Sequence, residues 1–167
     1  VGGIMTELTT RVIEASFQFV AELTLSGHHG AASVHVNLTA SEARRSETPR
    51  FFQQCLATYA VNPAAITIEI TEQEVTRIEG DLLGNLQLLE SMGFGLAIDD
   101  FGTGYSSLSH LLDLRATELK IDKRFISSMS GGGNDRAVVQ AIINLGKAMG
   151  LTVTAEGVET LEQLDFL

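Results

Sequence analysis

Apolar residues recur along this chain with two periods that take turns. Over 6–25 they fall at three-to-four spacing, and Val12, Ile13, Phe17, Val20 and Leu23 mark one buried helical face. Ser26-Gly27-His28-His29-Gly30 stops that helix, and its two histidines read as polar loop residues. Residues 32–38 alternate as a strand, and 39–48 are polar and turn-rich. Pro49 sits in the first turn of a second helix striped by Phe51, Phe52, Leu56 and Tyr59. The pattern repeats with a strand over 65–72, a helix over 81–92 and a strand over 95–99 that runs into a glycine loop. A short helix over 106–112 and a strand over 116–122 follow. Phe125, Ile126 and Met129 suggest a further short helix, and Ser130-Gly131-Gly132-Gly133-Asn134 is a flexible loop. A helix over 135–149, a strand over 151–156 and a last helix from about Thr160 complete the chain.

Strand and helix thus alternate, which predicts parallel strands joined by helical crossovers. Two architectures fit: an open doubly wound sheet and a β/α barrel. Strand parity separates them. One parity carries Val34, Val36, Ile66, Ile68, Ile70, Leu96, Ile98, Leu119, Ile121, Leu151 and Val153. The other carries Ser33, His35, Asn37, Thr67, Glu69, Thr71, Ala97, Asp99, Glu118, Lys120, Asp122, Thr152, Thr154 and Glu156. An open parallel sheet buries both faces and is apolar on both. A sheet curved around a polar lumen accounts better for one polar face. The expected fold is therefore α/β, a modified TIM-like barrel. The five predicted strands fall short of the eight strands and roughly 250 residues of a complete barrel.

The 167 residues are the size of one domain, and 44% of them are apolar. No apolar run is long enough to span a membrane, and no secretory signal stands at the N-terminus. The net charge of -10 excludes a general nucleic-acid surface, although local cations could still bring in a small phosphorylated ligand. Cys55 is the single cysteine, so no internal disulfide can form. It falls in an apolar helical pattern and reads as a core thiol, which suits a reducing cytoplasm.

Chemistry gathers at the C-terminal strand ends, where Asn37, Glu69, Asp99, Lys120 and Glu156 lie, and where β/α barrels carry their active sites. Asp99-Asp100 places two carboxylates side by side before Gly102 and Gly104, whose backbones can turn tightly. A lysine-centred ion network is the structural alternative. One lysine cannot neutralise three or four carboxylates, and each unpaired buried charge is costly. A divalent metal can, because hard cations take oxygen ligands. Asp99 is the natural bridging ligand if two ions lie ~3.5–4 Å apart.

Five motifs stand in order: Val36-Asn37-Leu38-Thr39, Glu69-Ile70-Thr71-Glu72, Asp99-Asp100-Phe101-Gly102-Thr103-Gly104-Tyr105-Ser106-Ser107-Leu108, Leu119-Lys120-Ile121-Asp122 and Ala155-Glu156-Gly157-Val158-Glu159-Thr160. Together they resemble the EAL-domain family of cyclic di-GMP phosphodiesterases over nearly the whole chain. The resemblance implies hydrolysis of cyclic di-GMP to linear pGpG with two Mg²⁺ or Mn²⁺ ions. It implies Asn37, Glu69, Asp99, Asp100 and Glu156 as metal-site residues, with Lys120 and Glu156 catalytic. Glu72 and Glu159 would anchor the loop, whose Phe101, Gly102, Thr103, Gly104, Tyr105 and Ser106 would serve substrate and dimer contacts. The family's Glu-Ala-Leu strand is expected ahead of Val1 and its Gln-Gly segment after Leu167. This chain is therefore expected to be a partial domain, weakly active or inactive alone, that self-associates through open strand edges. A membrane-anchored parent remains compatible with that expectation. Two other classes are weighed against it. One is a non-catalytic cyclic di-GMP-binding or protein-interaction module, and the other is a metal-dependent barrel enzyme with another substrate.

Overall fold

The structure is a computed structural model that describes residues 2–27, 33–76, 78–104, 108–129 and 134–167. The elements follow the order α1 (Gly2–Leu25), β1 (Val34–Asn37), α2 (Ala40–Ala43), α3 (Glu47–Tyr59), a 3-10 turn (Pro63–Ala65) and β2 (Ile66–Thr71). Then come α4 (Glu72–Val75), α5 (Asp81–Ser91), β3 (Gly95–Phe101), α6 (Leu108–Asp113), β4 (Glu118–Ile121), α7 (Lys123–Ser128), α8 (Asn134–Met149), β5 (Thr152–Ala155) and α9 (Leu161–Phe166). The strands form one sheet in the order β1-β2-β3-β4-β5, and the registered pairs are parallel. Strand order never reverses, as barrel winding requires and a doubly wound sheet does not allow. Among the described residues, β1 and β5 stand at the two ends of that order.

Two compact units divide the chain, Val1–Ile70 with Ile78–Leu96, and Thr71–Arg77 with Ala97–Leu167. In the first, α1 and α3 pack through Ile13, Phe17, Val20, Phe52 and Cys55. Phe17, Phe52 and Phe94 form a triangle of edge-to-face rings with centroids 5.1–6.0 Å apart, the geometry aromatic quadrupoles favour. Burial pushes the Cys55 thiol up to about 11, with repulsion from Glu14 adding to it, so it stays protonated at neutral pH. Val12 corrects the predicted buried face: it is 45% exposed, because the α1 face that packs runs through positions 13, 17 and 20. The 39–48 stretch is also more ordered than a turn. Thr39 and Glu42 close a reciprocal capping box that starts α2.

In the second unit α8 lies against β4 and β5. Gly146 permits this, since a Cβ there would stand 2.2 Å from Val153 Cγ2. Thr160 and Gln163 form the capping box of α9, and the buried Gln163 amide donates to the Ile126 carbonyl at 3.1 Å. The predicted His28-His29 turn, the Ser106-Ser107 cap and most of the 130–134 loop lie outside the described residues.

Candidate metal centre at the strand ends

The second unit carries a carboxylate cluster, and a fault in β3 builds it. Leu96, Ala97 and Ile98 are buried, which fixes the strand. A regular strand would then send Asp99 and Asp100 to opposite faces. The register instead runs from Ile98↔Leu119 to Phe101↔Ile121, three steps on β3 against two on β4. The extra residue makes a bulge. Asp100 absorbs it in the left-handed region, at φ 53°, a conformation aspartate tolerates better than most residues. Carboxylate oxygens of Asp99, Asp100 and Glu156 thereby come within 4.8 Å of one another.

Lys120 bridges part of this charge. Its Nζ lies 2.7 Å from Glu156 Oε1 and 3.2 Å from Asp99 Oδ1, and its side chain is 12% exposed. Burial raises the Asp100 carboxyl above the usual range; repulsion from Asp99, Asp122 and Glu156 adds to this, and Arg124 partly offsets it. Asp122 pairs separately with Arg124, at 3.0 Å. Three carboxylates against one ammonium leave two negative charges, and every donor is a hard oxygen. That set suits a divalent cation of the magnesium, manganese or calcium type. Asp100, Asp122, Lys123, Arg124 and Glu156 line a concavity of about 450 Å³ beside it.

The loop after β3 is held from α4. Glu72, 2% exposed, accepts through Oε2 from Gly102 N–H at 2.9 Å and Gly104 N–H at 2.8 Å. Gly102 adopts φ 98°, and a Cβ there would meet Phe125 Cε2 at 2.6 Å, so only glycine fits. Thr103 Oγ1 donates to the Asp100 carbonyl at 2.9 Å, and Phe101 is buried. Tyr105 and Ser106 lie outside the described residues. Glu159 is exposed, and its N–H donates to Gln163 Oε1.

Asn37 and Glu69 belong to the first unit. The parallel register sets them across from each other on β1 and β2. Asn37 is exposed, whereas Glu69 is 4% exposed and its Oε1 lies 2.7 Å from His35 Nδ1. The sequence reading had His35 only as one polar strand position. Its place two residues before Asn37 on the same face was the available signal.

Parallel strands ordered as they follow in the chain, with Asp99, Asp100 and Glu156 drawn together at the C-terminal ends of β3 and β5, define an α/β domain of the β/α-barrel type with an acidic group that could hold a metal ion. A family model described as the EAL domain matches residues 2–167, and the chain belongs to that family. It is 40% identical over 145 residues to the bifunctional diguanylate cyclase/cyclic di-GMP phosphodiesterase MucR of Pseudomonas aeruginosa, covering 87% of this chain and 21% of that protein. It is 34% identical over 165 residues to the cyclic di-GMP phosphodiesterase NbdA of the same species, covering 99% and 21%. The chain spans about a fifth of the length of these relatives. The solved PaMucR phosphodiesterase in complex with c-di-GMP matches with a TM-score of 0.92 at 36% identity, over 99% of this chain and 67% of that one. Klebsiella pneumoniae BlrP1 with manganese and cyclic di-GMP gives 0.83 at 28%, over 96% and 40%. These matches carry the TIM-like assignment of the fold.

Proposed function

We propose that this chain is the larger part of a phosphodiesterase domain that opens cyclic di-GMP to linear pGpG with Mg²⁺ or Mn²⁺ bound. The observation that carries the reading is the Asp99-Asp100-Glu156 group at the β3 bulge, with Lys120 against it. The family likeness supplies the substrate. Asp99, Asp100 and Glu156 would hold the cation. Asn37 and Glu69 join the set on the likeness and on their place at their strands' C-terminal ends. Bound cations would polarise the phosphoryl oxygen and acidify water near it.

Lys120, against Asp99 and Glu156, would hold the attacking water or help to deprotonate it, and Glu156 would act with it. The same ammonium would offset charge developing on phosphate. Glu72 would fix the loop that shapes the mouth; Glu159 is assigned with it on the likeness alone. Self-association belongs to the same reading, because β1 and β5 are the sheet's edges and edges invite pairing. Sedimentation at tens of micromolar tests it, and a clean monomer counts against it. No helix among the described residues is long and apolar enough to cross a membrane, and one buried free cysteine suits the cytoplasm.

The decisive experiment incubates the chain with cyclic di-GMP and Mn²⁺ and separates pGpG by chromatography. Metal-dependent pGpG formation supports the enzyme reading. Nucleotide binding without turnover favours a binding module.

A further inference from the structure

Glu69 is a buried carboxylate on β2, beside the first strand of the sheet, and is flanked on its own strand by Ile68 and Ile70. Such a group must be held by donors or it does not stay ionised. His35 supplies one. The register sets His35 across from Thr67 and Asn37 across from Glu69, so the imidazole reaches diagonally, one pleat forward, to Glu69 Oε1 at 2.7 Å. An ionised carboxylate only accepts, so the proton sits on Nδ1. Nε2 then faces the Ser33 hydroxyl at 3.5 Å, on the same strand face.

We propose that His35 is a positioning residue for Glu69: by its Nδ1–H it holds the Glu69 carboxyl in the orientation in which that group would ligate a divalent cation. The inference rests on the reading of Glu69 as a ligand. A ring with two rotatable bonds fixes a carboxylate more firmly than a flexible donor would. Anchoring one oxygen also does not compete with ligation, because a carboxylate has two oxygens and about four acceptor directions. Outer partners of this kind typically change metal affinity by about 10–100-fold when removed.

The competing account is that His35 only satisfies a buried charge. The two accounts differ in what they move: the structural one shifts thermal stability but leaves the cation affinity of the folded chain alone. The test is calorimetric Mn²⁺ titration of the full chain in wild type, His35→Ala, His35→Asn, Glu69→Gln and the His35→Ala/Glu69→Gln double variant, with melting curves run without metal. Asparagine places its amide nitrogen near the position of Nδ1. The expected result is a Kd weakened about 10–100-fold in His35→Ala, near-wild-type binding in His35→Asn, and no further loss when His35→Ala is added to Glu69→Gln. A folded His35→Ala with wild-type Mn²⁺ affinity overturns the proposal. So does an equal loss from His35→Ala with and without Glu69. Should His35→Ala not fold, His35→Gln, which carries its amide one bond further out, takes its place. Weaker binding than His35→Asn then supports the proposal, and equal binding overturns it. No Mn²⁺ binding by wild type, or wild-type binding by Glu69→Gln, sinks Glu69 as a ligand and this inference with it. Weak Glu69→Gln beside unchanged His35→Ala sinks the inference alone.

Discussion

The ends of β2 and β3 both carry acidic chemistry, and they are built differently. At the end of β2 the strand is regular, Glu69 is buried, and a neighbouring imidazole holds it. At the end of β3 the strand is bulged, two successive carboxylates are steered together, and Lys120 is the cation against them. The first arrangement is close to satisfied by the protein's own groups. The second keeps an excess of negative charge and a carboxyl whose proton affinity is raised by burial and by its neighbours. A carboxylate held by a donor is stabilised locally, whereas a cluster needs a cation, and that contrast makes β3 the core of the proposed metal site.

The largest expected effect comes from Asp99→Asn. It removes the carboxylate that meets Lys120 and receives the Asp100 N–H at 2.9 Å. Turnover of cyclic di-GMP should fall by more than about 100-fold, and a fully active variant would make the two ends equivalent again. Gly102→Ala should act on stability instead. The left-handed backbone and the Phe125 contact together should cost about 3 kcal/mol, read as a lowered denaturation midpoint. Asp100→Gly separates strain from function at the bulge. It relieves the positive φ by about 1 kcal/mol yet should weaken Mn²⁺ binding measured by calorimetry. A variant that is stabler and binds equally well would remove Asp100 from the ligand set.

The smallest effect lies away from both ends, at Glu42. Burial pulls its carboxyl up, but hydrogen bonds from Thr9 and Thr39 and the nearby Arg45 outweigh that, and it lies below the usual value. Its folded value is thus lower than its unfolded one. The stability it adds is present above the ordinary glutamate range and is lost as pH falls through the depressed value. Glu42→Gln should flatten that part of the stability–pH curve, and it serves as a control that leaves metal binding unchanged.

Much of this was legible in the residues. Alternation of strand and helix gave the parallel sheet, and the polar parity marked Asn37, Glu69, Asp99, Lys120 and Glu156 as one group of strand-end residues. The capping box of α2 was also readable, since Thr39 precedes Glu42 by three, but the polar composition of 39–48 masked it. Val12 could not be placed, because two apolar neighbours in a helix compete for one face and only the packing of α1 on α3 decides between them.

By itself the sequence determined which kinds of atoms stand at the strand ends, because periodicity and residue chemistry are local properties. Only the tertiary structure decided how those atoms meet. The β3 bulge reverses the face that simple alternation assigns to Asp100, and the register of β1 on β2 brings His35 to Glu69. Both depend on a neighbouring strand, which no local pattern contains.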